Sequence, residues 1–222
     1  MAVIKHRPIS KPFPDSRSGK VIFLSHCILN ENTRYLGGAA APACIQPVVE
    51  QCIRNDWGMV QMPCPEQQAW GGVGKRFLLL TYGSKGTFLY LFRGFLLPLF
   101  VLYTKWIYRN LARKVVAEIK DYLNTGYTVV SIAGVDGSPS CGVNTGLVLE
   151  VALEGIAELN LEELTSERAN RVVQESLNPG EGMFTIALKA ELSRQKIDIP
   201  YVAHDLFAEL LGETKELDGF AK

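Results

Sequence analysis

The chain has 222 residues, 47% of them hydrophobic, with 23 Lys and Arg against 23 Asp and Glu. That length supports one substantial core, and the even charge balance gives no overall charged field that argues for nucleic acid or an anionic membrane as partner. Five cysteines in a chain this long read as intracellular thiols, some of them metal ligands, so a cytoplasmic location is expected rather than a disulfide framework.

In chain order, residues 1–19 hold Lys5, His6 and Arg7 followed by Pro8, Pro12 and Pro14, without the apolar run of a secretory signal. They read as a polar arm ahead of one domain over 20–222. Val21-Ile22-Phe23-Leu24 is a short apolar run of strand formers and predicts the first strand. Cys44, Val48 and Cys52 then recur at i, i+4, i+8, with Ile45 and Val49 beside them, which predicts a helix. Cys44 and Cys52 fall on its inner face as core residues, because an unpaired cysteine behaves as a small hydrophobe. Gly58 to Met62 gives a second, weaker strand.

Residues 86–110 form an apolar helical insertion. Phe88 to Phe92 and Phe95 to Tyr103 are apolar, but Arg93, Gly94 and Pro98 interrupt them and Lys105 closes the run. A bilayer span needs roughly 20 mainly apolar residues, and an Arg near its centre costs about 2.5–3.5 kcal/mol. A hairpin of two short helices is expected here, without stable membrane insertion. Interfacial membrane contact is the minor alternative, and a leftover apolar patch would suggest a homodimer. Ile107, Leu111, Val115 and Ile119 continue as a helical stripe stopped at Asn124-Thr125-Gly126. Tyr127 to Ile132 is the clearest strand. Residues 147–180 read as helical segments and a loop. Phe184, Leu188 and Leu192 mark another helix, and Pro200 to Ala203 a last short strand. Strands alternating with helices predict a single α/β domain, Rossmann-like, with a central mostly parallel sheet flanked by helices.

Three cysteines share one context. Cys27 follows the first strand, Cys64 the second and Cys141 the third. In an open parallel sheet ligands bind beyond the carboxyl ends of the strands, so three such cysteines can converge on one point. Chance placement of small buried residues is the competing reading. Polar groups attend the same loops: Arg34 and Tyr35 after Cys27, Glu66 after Cys64, and Ser138, Ser140 and Gly142 around Cys141. Singly, each is explained as a turn or surface residue. Thiolates suit both zinc and iron–sulfur clusters, but structural zinc wants four ligands. His26, next to Cys27 at a strand end, should point away from it. His204 is the better fourth donor and keeps a zinc site of Cys27, Cys64, Cys141 and His204 open, either hydrolytic or structural. A non-catalytic sulfur or cluster carrier is the third reading.

Taken together, Ser25-His26-Cys27 with Arg34-Tyr35, Pro63-Cys64-Pro65-Glu66 with Gly71-Gly72, and Ser138-Pro139-Ser140-Cys141-Gly142 resemble the thiouracil desulfurase family. Gly180 to Phe184, ahead of a helix and a final strand, resembles the family's C-terminal part. The resemblance implies a 4Fe-4S cluster on Cys27, Cys64 and Cys141 with one iron left open. It implies Glu66 and Ser138 as catalytic residues, and Arg34, Tyr35, Ser140 and Gly142 are the expected substrate contacts. The implied reaction is non-redox hydrolytic removal of sulfur, as sulfide, from a small thiolated substrate such as a thiouracil-like thiocarbonyl. The apolar insertion, the N-terminal arm and the segment after Gly72, which lacks a proline-rich run, depart from the family pattern and bear on the substrate more than on the cluster.

Overall fold

The computed structural model describes residues 15–75, 85–158, 165–213 and 215–220. Most of the expected arm, residues 1–14, lies outside the described residues. Four parallel strands form the central sheet in the order β2-β1-β3-β6: β1 Lys20–Leu24, β2 Gly58–Gln61, β3 Thr128–Asp136 and β6 Tyr201–Asp205. This is the expected α/β architecture with a largely parallel sheet.

Side chains alternate across a strand, and β1 uses both faces. Val21 and Phe23 enter a core built with helices α3 (Pro65–Trp70), α4 (Arg93–Asn124) and α7 (Met183–Arg194). Ile22 and Leu24 enter a second core with α1 (His26–Leu29), α2 (Gln46–Arg54) and α8 (Leu206–Leu210). Full burial of each such side chain contributes about 1.5–3 kcal/mol, so this one central strand pins both layers.

Several expectations need correction. β2 ends at Gln61, one residue short of Met62, and is a mostly exposed edge strand. β3 runs past Ile132 to Asp136, through Gly134, where a Cβ would stand 2.3 Å from the Cys141 carbonyl oxygen. Cys44 lies ahead of α2 rather than on it, while Cys52 is fully buried in the helix. Residues 147–180 hold helices α5 (Leu149–Ala157) and α6 (Ser166–Glu175), but also the ends of a small antiparallel pair, β4 Thr145–Leu147 with β5 Leu177–Pro179. Three-residue strands carry too little periodicity to announce themselves.

The apolar insertion is not a hairpin. A 3-10 turn over Phe88–Phe92 runs directly into α4, a single helix of 32 residues with Pro98 in its second turn. So near the start, proline removes one backbone hydrogen bond and the helix continues beyond it. Residues 107–124 are then the second half of the same helix. Phe88–Asn124 is long and apolar enough to cross a membrane, yet α4 presses Phe100, Val101, Thr104, Tyr108 and Leu111 into the domain core.

Candidate metal centre

β1 and β3 are neighbours in space, while β2 lies on the far side of β1. The chain therefore reverses its winding direction between β1 and β3, and this is where an open α/β sheet opens a crevice at its carboxyl edge. Cys27, Cys64 and Cys141 all line one cavity there, of about 130 Å³.

Each thiol is placed by its own local device. After β1 the chain turns at Ser25, whose Oγ donates to the Ala133 carbonyl at 3.0 Å, and α1 begins with Cys27 in its first turn. Because this is helix and not strand, His26 and Cys27 do not diverge: both line the cavity, contrary to the alternation argument. Cys64 is the N-cap residue of α3, with Pro65 in the first turn and Glu66 beside it. Cys141 sits in a loop held on three sides. Ser138 Oγ accepts from the backbone N–H of Ser140 at 3.2 Å and of Cys141 at 3.1 Å. Asp136 accepts from the N–H groups of Val143 and Asn144 at 2.9 and 2.8 Å. The N–H groups of Met183 and Phe184 in the first turn of α7 donate to the carbonyls of Pro139 and Ser140, each at 3.0 Å. Gly182 lets that turn approach, since a Cβ there would lie 2.4 Å from the Ser140 carbonyl.

Glu66 and Ser138 also line the cavity. Glu66 Oε1 accepts from Ser140 Oγ at 3.0 Å, Ser140 lies 3.1 Å from Ser138 Oγ, and Glu66 Oε2 is ion-paired with Lys75. The direct partner of the carboxylate is thus Ser140, and Ser138 stands one hydroxyl behind it. Burial opposes the charge on Lys75, yet Glu66 and the nearby thiols hold its ammonium above the usual range. Lys75 escaped the sequence reading because it lies in a glycine-rich turn with no motif around it, as did Asp136.

Arg34 and Tyr35 line the cavity too. Tyr35 donates to Asn170 Oδ1 at 2.9 Å, and burial pushes its hydroxyl up to about 12, so it remains a donor. Arg34 Nη1 donates to Glu31 at 3.2 Å and to Glu209 at 2.9 Å, both deeply buried carboxylates. Gly142 is different. It does not line the cavity, and a Cβ would meet the Thr145 carbonyl oxygen at 2.3 Å. Its role is close loop packing, not substrate contact.

His204 does not join the cysteines. It is buried against Glu209, Nε2 to Oε2 at 2.8 Å, as the far member of the Arg34 network, and is absent from the cavity wall. That removes His204 as the fourth donor of a zinc site and leaves His26, on the cavity wall, as the histidine beside the three cysteines. Among the described residues no three His, Cys, Asp or Glu side chains form a group that could close around a metal ion. The three thiols of a cubane bind three different irons, so they stand farther apart than the ligands of one ion. The polar surroundings suit an anionic occupant: Arg34, on the cavity wall, keeps Nε and Nη2 buried without a hydrogen-bond partner among the described residues, as does the Tyr108 hydroxyl, which is not part of the wall. Arg34 acts electrostatically on Cys27, and Cys64, Cys141 and Glu66 act on Tyr108. Three thiols on one wall match the donor set of a three-cysteine cluster, and with His26 beside them they also match the donor count of tetrahedral zinc. Burial pushes all three thiols up, Cys64 to about 12 with Glu66 adding to the effect, so ligation must release protons.

No protein-family model and no solved structure matches the chain. It is similar to an uncharacterized protein of Methanocaldococcus jannaschii, 24% identical over 148 residues, which cover 64% of this chain and 81% of that protein.

Proposed function

We propose that this protein is an iron–sulfur-dependent desulfurase that removes sulfur, as sulfide, from a small thiolated substrate by non-redox hydrolysis. The observation that carries the reading is the meeting of Cys27, Cys64 and Cys141, from three separate strand ends, with Glu66 in one cavity. Those cysteines would hold a 4Fe-4S cluster, which when bound supplies an iron without a protein ligand, a Lewis acid for the substrate sulfur. The overall change is C=S plus water to C=O plus hydrogen sulfide, with no electron gained or lost, so no redox partner is required.

The chain's own groups handle the proton. Glu66 is the general base that takes a proton from the attacking water, a role worth roughly 10²–10⁴-fold. Ser140 Oγ and Lys75 fix the two carboxylate oxygens, so the carboxylate is oriented before substrate arrives. Ser138, hydrogen-bonded in line behind Ser140, relays or anchors through its hydroxyl. Tyr35 and Arg34 offer donors to the substrate's polar edge. Leu147, Leu149, Leu153 and Val173, which line the same cavity, exclude bulk water and receive a flat apolar face.

Protein purified and reconstituted anaerobically should release sulfide from 2-thiouracil or a related thiocarbonyl. Glu66→Gln should keep the cluster's absorption spectrum and lose turnover by about 10²-fold or more. A cluster-loaded Glu66→Gln protein working at the wild-type rate would remove Glu66 from this role. A loaded wild-type protein inert toward every thiocarbonyl tried would favour a sulfur or cluster carrier.

A further inference from the structure

Helix α4 has two opposed faces, and the mechanism uses neither end of the exposed one. Phe95, Leu99, Leu102 and Trp106 are 71%, 51%, 64% and 58% exposed. At 100° per residue these four and the exposed Arg109 and Arg113 fall within an arc of about 80°. One side of the helix is thus an uninterrupted apolar stripe that gives way to arginines, with Tyr103 and Trp106 at the join. The exposed Phe88, Leu91 and Phe92 extend the apolar end. At the basic end Lys105, Arg109 and Arg113 share a groove with Arg194 and a single acid, Glu191, which Arg194 already pairs.

The sequence around the stripe is one-signed. From 67 to 117 there are eight of the chain's 23 basic residues and none of its 23 acidic ones. Lys75 pairs with Glu66, and Lys85 and Arg93 with Glu158, so the basic excess on the segment that also leaves large apolar side chains in water lies toward Lys105, Arg109, Arg113 and Lys114.

We propose that this face docks the protein on the surface of an anionic phospholipid bilayer. Phe95, Leu99 and Leu102 enter the acyl boundary, Tyr103 and Trp106 lie at headgroup depth, and Lys105, Arg109 and Arg113 meet the lipid phosphates. A second copy is the weaker occupant, because it would set a second cationic groove near the first, whereas anionic headgroups supply the missing counter-charge. A full span would pull Phe100, Val101 and Tyr108 from the core and break the 3.2 Å bond from Trp70 Nε1 to Thr104 Oγ1.

The test is co-sedimentation of the full-length protein with vesicles of phosphatidylcholine, alone or with phosphatidylglycerol. Binding should require phosphatidylglycerol, weaken with salt, and shift tryptophan emission to the blue in wild type but not in Trp106→Phe. Arg109→Glu with Arg113→Glu should lower partitioning at least about tenfold. Leu99→Glu with Leu102→Glu should do the same. If the leucine variant fails to fold by circular dichroism, the arginine variant decides, since both its side chains are exposed. Three results would overturn the proposal. One is equal or absent binding to the two vesicle types. Another is resistance to alkaline extraction with the segment protected from protease. The third is a dimer in sedimentation equilibrium, dissociated by the leucine changes, without vesicle binding.

Discussion

The carboxyl edge of the sheet and the first half of α4 break the usual rule of burial in opposite directions. At the sheet edge, Glu31, Arg34, Glu66, His204 and Glu209 are taken out of water, and each has a polar partner. Along the 3-10 turn and the first half of α4, Phe88, Leu91, Phe92, Phe95, Leu99, Leu102 and Trp106 are exposed to water. Burying charge and exposing hydrocarbon both cost stability, so a fold retains them where something binds. On the functions proposed above, the contrast divides the molecule into a site for a small occupant and a face for an anionic membrane surface.

The sharpest break of that contrast lies at Arg34. Arg34→Met leaves Glu31 and Glu209 buried without their cation, and stability should fall by about 3–5 kcal/mol in urea unfolding. A loss below about 1 kcal/mol would mean that the network is wet and not part of a built site.

Cys64 sharpens it through pH. In an unfolded chain the thiol ionises near 8.5, but in the fold it is held to about 12 by burial and by Glu66. The neutral thiol therefore contributes stability that is complete below about pH 8.5 and is lost as pH climbs toward 12. Urea midpoints of the metal-free protein should fall more steeply from about pH 8 to about pH 10 in wild type than in Cys64→Ala. Parallel slopes would contradict the burial of this thiol.

The smallest effect belongs to the other region. Leu102→Ser changes a side chain that touches water, so unfolding stability should stay within about 0.5 kcal/mol, while vesicle partitioning falls. A loss of about 2 kcal/mol or more would show that the stripe packs inside the protein.

Much of the sheet was readable because its strands are short apolar runs, and β1, β3 and β6 needed only longer ends. The convergence of Cys27, Cys64 and Cys141 was also readable, because strand-end position alone sends them to one edge. What escaped depended on contacts between distant segments. Lys75 reaches Glu66 from a turn, His26 enters the cavity because the chain coils one residue after β1, and His204 is claimed by Glu209 across a helix cap. Gly142 looked like a ligand-side glycine, but its bare backbone serves Thr145. α4 was misjudged because Pro98 and Arg93 look like breaks, whereas near a helix start proline costs one bond, and Arg93 stacks on Tyr90 with its guanidinium 4.0 Å from the ring centre.

The most direct test is iron and acid-labile sulfide analysis of anaerobically reconstituted cysteine variants. The wild type, Cys44→Ala and Cys52→Ala should each carry about four irons and four sulfides per chain. Cys27→Ala, Cys64→Ala and Cys141→Ala, folded by circular dichroism, should carry essentially none. Wild-type protein that takes up zinc but no iron and sulfide, or full cluster content in any of those three variants, would contradict the account.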